Sequence, residues 1–163
     1  MRRKELTMDE PKKVLKRILY FVFLLVLTTV FLIAAFLTAG TIQSKHVNNA
    51  AGVALEMPYK ALDVFTVRKG KLCAVVCEDG RYALYHVTGP VENMELYLLL
   101  DDMQVGKTYS VPDPEESYAF MTAVYENKDD VPKNAYKTVT LKAGDKTVYF
   151  CIQGFAFGNI SAK

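Results

Sequence analysis

From Ile18 to Ala39 the chain runs for 22 residues without a charge, a proline or a glycine (ILYFVFLLVLTTVFLIAAFLTA). As a helix rising ~1.5 Å per residue, such a run spans about 33 Å, enough to cross a hydrocarbon core of roughly 30 Å. Lipid offers the backbone no hydrogen-bonding partner, so a helix is the form expected there. Thr28, Thr29 and Thr38 fit this reading, because each hydroxyl can bond to a carbonyl one turn back. A core helix of a water-soluble domain would carry a polar stripe, and this run has none. The expected membrane anchor is therefore 18–39, a segment in which Ile18, Leu25, Phe31 and Ala39 mark the span.

The flanks give an orientation. Residues 1–17 form a basic tail with seven Lys/Arg (Arg2, Arg3, Lys4, Lys12, Lys13, Lys16 and Arg17) against three acids, whereas 40–54 carry Lys45 alone. The excess of positive charge places the N-terminus in the cytoplasm and everything after Gly40 outside it. Tyr20 falls near the inner interface, where an amphipathic ring is favoured. Secretory apolar cores run roughly 7–15 residues, so this longer one reads as a retained anchor. Cleavage beside the small residues Thr38-Ala39-Gly40, releasing a secreted β-domain, is the alternative. No cysteine stands just after the run and no glycine follows Met1, so neither lipid modification is expected.

Segment 40–59 is weakly patterned and reads as a stalk, with Pro58 ending it. Residues 60–158 read as a domain of about eight short strands, followed by a tail, 159–163. Ala61–Arg68, Lys71–Cys77 and Arg81–Thr88 are joined by expected turns at Lys69-Gly70 and Asp79-Gly80, the latter carrying the composition of a type I′ hairpin. Leu72, Ala74 and Val76 share one strand face; Tyr82, Leu84 and His86 share one on the next strand. Val91–Leu100 alternates as a strand through Met94, Leu96, Leu98 and Leu100, although Leu and Glu also favour helix. A short strand opens at Gly106-Lys107-Thr108-Tyr109; further strands are expected at Tyr118–Tyr125, Tyr136–Lys142 and Lys146–Phe157. The fold class that follows is all-β, an antiparallel sandwich or small barrel of seven to eight strands outside the cytoplasm, preceded by one transmembrane helix. Fourteen of the nineteen aromatic residues lie from Tyr59 onward, enough to build such a core.

The strand pair near the domain start, Gly106-Lys107-Thr108-Tyr109, and Gly154-Phe155-Ala156-Phe157 give residues 65–158 an outline that resembles small uncharacterised envelope β-sandwich domains of bacteria. Those domains are often lipoproteins, and this chain departs from them in lacking the lipidation cysteine. The resemblance implies a fold and an envelope location, and no chemistry.

Few residues carry a chemical signature. Cys73 and Cys77 lie four apart on one strand, about 13 Å at ~3.3 Å per residue, too far to bond each other. Either could meet Cys151 in a disulfide, the exported side being oxidising; small buried hydrophobes are the plainer reading of all three. A metal set of Cys73, Cys77, His86 and Cys151 has zinc-like spacing on a mid-strand location that does not suit zinc. His46 falls in the stalk and reads as solvated, and His86 is the sole base candidate of the domain, with no nucleophile elbow present. The acids Glu78-Asp79, Asp101-Asp102, Asp113/Glu115/Glu116 and Asp129-Asp130 sit in or beside turns, without EF-hand spacing. Paired carboxylates for glycoside hydrolysis are available in principle, in a domain with little room for a cleft. No phosphate-binding loop is present. Residues 40–163 hold 13 Lys/Arg against 15 Asp/Glu with no basic stripe, which disfavours nucleic acid, and Asn159-Ile160-Ser161 is a formal glycosylation sequon.

No enzyme, cofactor or metal is therefore expected. The expected partners are the lipid bilayer and a protein, bound through a domain surface or a free strand edge. The alternative is a structural subunit of a larger envelope complex, packed through the small residues Ala34-Ala35 and Ala39-Gly40 of its helix.

Overall fold

The computed structural model describes residues 10–114 and 116–157. Arg2, Arg3, Lys4, Glu115 and the Asn159-Ile160-Ser161 sequon lie outside the described residues. The chain divides into two compact units, residues 1–43 and residues 44–163.

Helix α1 covers Glu10–Ala54 and is long and apolar enough to cross a membrane. In the first unit its side chains from Lys13 onward are exposed all round, with Phe36 at 81% and Phe31 at 71%. An all-round apolar surface with no protein cover is suited to lipid. The threonine hydroxyls do what the sequence requires: Thr28 and Thr29 donate to the Leu25 carbonyl at 2.9 and 2.8 Å, and Thr38 to the Ala35 carbonyl at 2.9 Å.

The second unit holds the helix end and eight strands: β1 (Tyr59–Val67), β2 (Gly70–Cys77), β3 (Tyr82–Thr88), β4 (Glu95–Leu100), β5 (Tyr109–Pro112), β6 (Tyr118–Tyr125), β7 (Lys137–Ala143) and β8 (Lys146–Phe157). They form two antiparallel sheets of four, ordered β1-β2-β3-β4 and β5-β6-β8-β7, neither closed into a barrel. The β4–β5 connection is bonded to both sheets. The Met103 N–H donates to the Tyr82 carbonyl at 2.9 Å, and the Gly106 N–H to the Val124 carbonyl at 2.8 Å.

Register explains the burial. Leu72, Ala74 and Val76 pair with His86, Leu84 and Tyr82, so the two apolar rows legible in the sequence fall on one face of the first sheet. The apolar side chains of these rows join Phe120, Val124, Leu141, Val148, Phe150 and Ile152 of the second sheet in one buried cluster. The opposite face of β2 is also buried. Cys73, Val75 and Cys77 pack with Ala83, Tyr85 and Val87, and the cover is Ala51 and Leu55.

That cover corrects the reading of 40–59 as a weakly patterned stalk separate from the domain. The helix continues to Ala54, and its last turns belong to the domain. Asn48 fixes them: its Nδ2 donates to Asp63 Oδ1 at 2.8 Å, and its Oδ1 accepts from the Val64 N–H at 2.9 Å. Asn48, Ala51 and Leu55 recur at helical spacing, so they present one face to the sheet.

The turns shift as well. Val67 pairs with Gly70, so the first turn is Arg68-Lys69, with Arg68 at φ 53°. At Asp79-Gly80 the Gly80 N–H bonds to the Cys77 carbonyl and the Cys77 N–H to the Arg81 carbonyl. This is a three-residue loop with glycine at its left-handed last position rather than a type I′ turn. Val91–Asn93 forms a short 3-10 turn, and β4 starts only at Glu95. Gly89, at φ 78°, precedes that turn, and a Cβ on it would collide with the Asn93 carbonyl oxygen. Gly89→Ala is expected to cost at least about 2 kcal/mol. Gly80→Ala, at φ 90° with open space around it, should cost about half as much. Urea midpoints of the two variants check the difference.

Candidate binding edge

A four-stranded sheet has two edges, and each edge strand offers unpaired backbone groups to another chain. Three of the four edges here are protected. β5 has four residues and ends in Pro112. β7 carries Lys137 and Lys142. β1 carries Lys60 and Asp63, and Lys137 of β7 reaches across to it, its Nζ donating to the Thr66 carbonyl at 2.8 Å.

β4 differs. Its sequence is ELYLLL, with no Lys, Arg or Pro. Tyr97 and Leu98 are each 53% exposed, and no residue of the strand is buried. Its inner side pairs with β3 through His86↔Tyr97, Val87↔Leu96 and Thr88↔Glu95. Among the described residues no strand pairs with its outer side. Leu98 and Leu100 face Tyr85 and Leu84, so Leu99 is a bulge and the regular edge is 95–98.

Polar contacts flank this edge at both ends. Arg81 Nη1 lies 2.7 Å from Asp101 Oδ2, just past the strand end, and Arg81 Nε lies 2.7 Å from Asp79 Oδ2. Two of the acidic pairs read from the sequence thus meet on one arginine. The bond from Arg81 holds the Asp79 carboxyl below its usual range. At the strand start the Tyr97 hydroxyl donates to Glu95 Oε2, and that bond raises the Tyr97 phenol. Beside β4 lies a cavity of about 620 Å³ lined by Leu55, Met57, Tyr85, Met94, Leu96 and Tyr97 among others. The Tyr85 hydroxyl donates to Met57 Sδ at 3.0 Å along its wall.

The other sequence candidates are separated. Ile18, Leu25, Phe31 and Ala39 of the span are exposed, as are Lys13, Lys16 and Arg17 beside it; Lys12 lies in α1. Cys73 and Cys77 are free and buried under the helix end, whereas Cys151 is free and buried with Ala123 and Tyr125 on the second sheet. No disulfide joins these separate clusters. His86 is 3% exposed on the other face of the first sheet from Cys73 and Cys77, so the four-residue metal set does not converge. Around Tyr118 the domain gathers groups that sequence reading left apart. The Arg68 guanidinium lies 5.0 Å from the Tyr118 ring centre and 5.1 Å from that of Phe155. The Tyr118 phenol is pushed up to about 12 by burial first and by its bond to Asp113 second.

Burial likewise pushes the Cys73 thiol up to about 12 from 9.0, and burial with the Glu126 bond pushes Tyr82 up to about 12 from 10.0. The unfolded chain releases these protons first while the folded chain still holds them. Stability should therefore be complete below pH 9 and fall as pH rises toward 12. Urea midpoints between pH 8 and pH 11 check this, and Cys73→Ala should make the decline shallower.

No family model, curated protein or solved structure matches this chain.

Proposed function

We propose that this chain is a single-pass membrane protein, N-terminus in the cytoplasm, that holds a two-sheet β-sandwich outside the cytoplasm and uses it as a protein-binding module. The helix supports the anchoring, and the basic tail with Arg2, Arg3, Lys4, Lys12, Lys13, Lys16 and Arg17 supports the orientation. The buried cluster shared by both sheets supports the face-to-face sandwich. The observation that carries the binding role is the β4 edge, where Tyr97 and Leu98 are half exposed and no Lys, Arg or Pro stands, while the other three edges are short and end in proline or carry lysines. An edge left in this state invites uncontrolled pairing unless a partner strand occupies it. Strand addition supplies main-chain hydrogen bonds for affinity, and the neighbouring cavity takes alternate side chains for specificity.

Leu98→Lys tests the reading. Leu98 is half exposed, so the change should move stability by less than about 1 kcal/mol. A lysine on this edge should lower the recovery of the bound protein from mild detergent at least tenfold. Equal recovery for the variant and the unaltered chain would remove the edge from the account.

A further inference from the structure

We infer that the strand seated on β4 is β4 of a second copy of this chain, added antiparallel about Tyr97 to join two four-stranded sheets into one of eight. The inference rests on the strand-addition reading above and names its partner. Two copies paired through one edge are related by a twofold axis perpendicular to the sheet, so the register centres on a single residue that faces its own symmetry mate.

Two centres keep five residues of β4 in the ladder. About Leu98, Leu96 pairs with Leu100 and Tyr97 with Leu99 of the other copy, but Glu95 then opposes Asp101, a like-charge contact. That register also runs the central pairs through the bulge at Leu99. About Tyr97, Leu96 pairs with Leu98, Glu95 with Leu99, and Tyr97 with Tyr97. No like charges oppose, and the central pairs use the regular stretch 95–98. The same strand thus disfavours one self-pairing, through the opposed acids and the bulge, and accepts the neighbouring one, whose central pairs are aromatic or aliphatic and whose outer pairs set Glu95 against Leu99. A helix that confines the chain to one membrane would raise the encounter frequency of copies further.

Cysteine cross-linking in the full-length chain, in its membrane and under mild oxidation, tests the register. Facing residues of an antiparallel pair have Cα atoms about 4.5–5.5 Å apart, within disulfide range. The native thiols are buried and give little background. Tyr97→Cys should convert at least about half of the chain to a disulfide dimer, and Leu98→Cys at least fivefold less. Copies carrying Leu96→Cys and copies carrying Leu98→Cys should cross-link when co-expressed, which reads the same register with Tyr97 intact. Absence of both the Tyr97 and the mixed cross-link overturns the inference. If Leu98→Lys then still releases a different bound protein, the strand-addition reading stands without self-pairing; if it releases nothing, both fall. Cross-linking greater at Leu98→Cys than at Tyr97→Cys also overturns the inference as stated.

Discussion

A chain cut before Tyr59 is expected to be less stable by about 5 kcal/mol than one cut before Ser44, although both retain all eight strands. The shorter chain lacks Ala51, Leu55 and Met57, which cover Cys73, Val75, Cys77, Ala83, Tyr85 and Val87. It also lacks Asn48, whose side chain satisfies Asp63 and the Val64 N–H. Each large apolar side chain returned to water costs roughly 1.5–3 kcal/mol, and each lost part-buried hydrogen bond about 1. The total is comparable to the whole stability of a domain this size, about 5–15 kcal/mol. With a urea slope of about 2 kcal/mol per M, the midpoint should drop by roughly 2.5 M, or the fragment should not fold. Equal midpoints would show that the helix end is not part of the folded domain.

The second large effect is expected at Phe150, which is 1% exposed on β8, pairs with Val139 and Val124, and meets the Tyr82 ring edge-on at 6.2 Å. Phe150→Ala should cost about 3–5 kcal/mol, because the void is lined by both sheets and collapses poorly. Tyr82 belongs to the other sheet, so a double-mutant cycle between the two should give a coupling of about 1 kcal/mol. Additive losses would mean that the sheets do not pack face to face at this point.

Much of this fold was legible because strands obey a period of two and turns have a restricted chemistry. Tyr118–Tyr125 and Lys146–Phe157 match the sequence reading residue for residue. The misplacements have physical causes. Asp79-Gly80 sits in a three-residue loop because the Cys77–Arg81 bond closes one residue wider than a type I′ turn, which moves Asp79 out of the left-handed region. The role of 44–57 escaped because ten of its fourteen residues are polar or small and its apolar positions look sparse until a sheet face is known to need covering. The spacing of Val47, Ala51 and Leu55 was the signal available. The β4 edge was visible as an alternating leucine strand. Which strands would be edges depends on sheet order: β4 is an edge because β5 pairs with β6 and not with β4, and that division into two sheets is set by tertiary packing that no local pattern encodes.

Asn134, exposed in the turn before β7, offers the most direct measurement of where the domain resides. Asn134→Cys should react with a membrane-impermeant maleimide in intact, sealed cells as fully as in permeabilised ones, while the native thiols stay unlabelled and the labelled chain resists extraction by alkaline carbonate. Labelling that appears only after permeabilisation, or a labelled chain released by carbonate, would contradict an anchored domain displayed outside the cytoplasm.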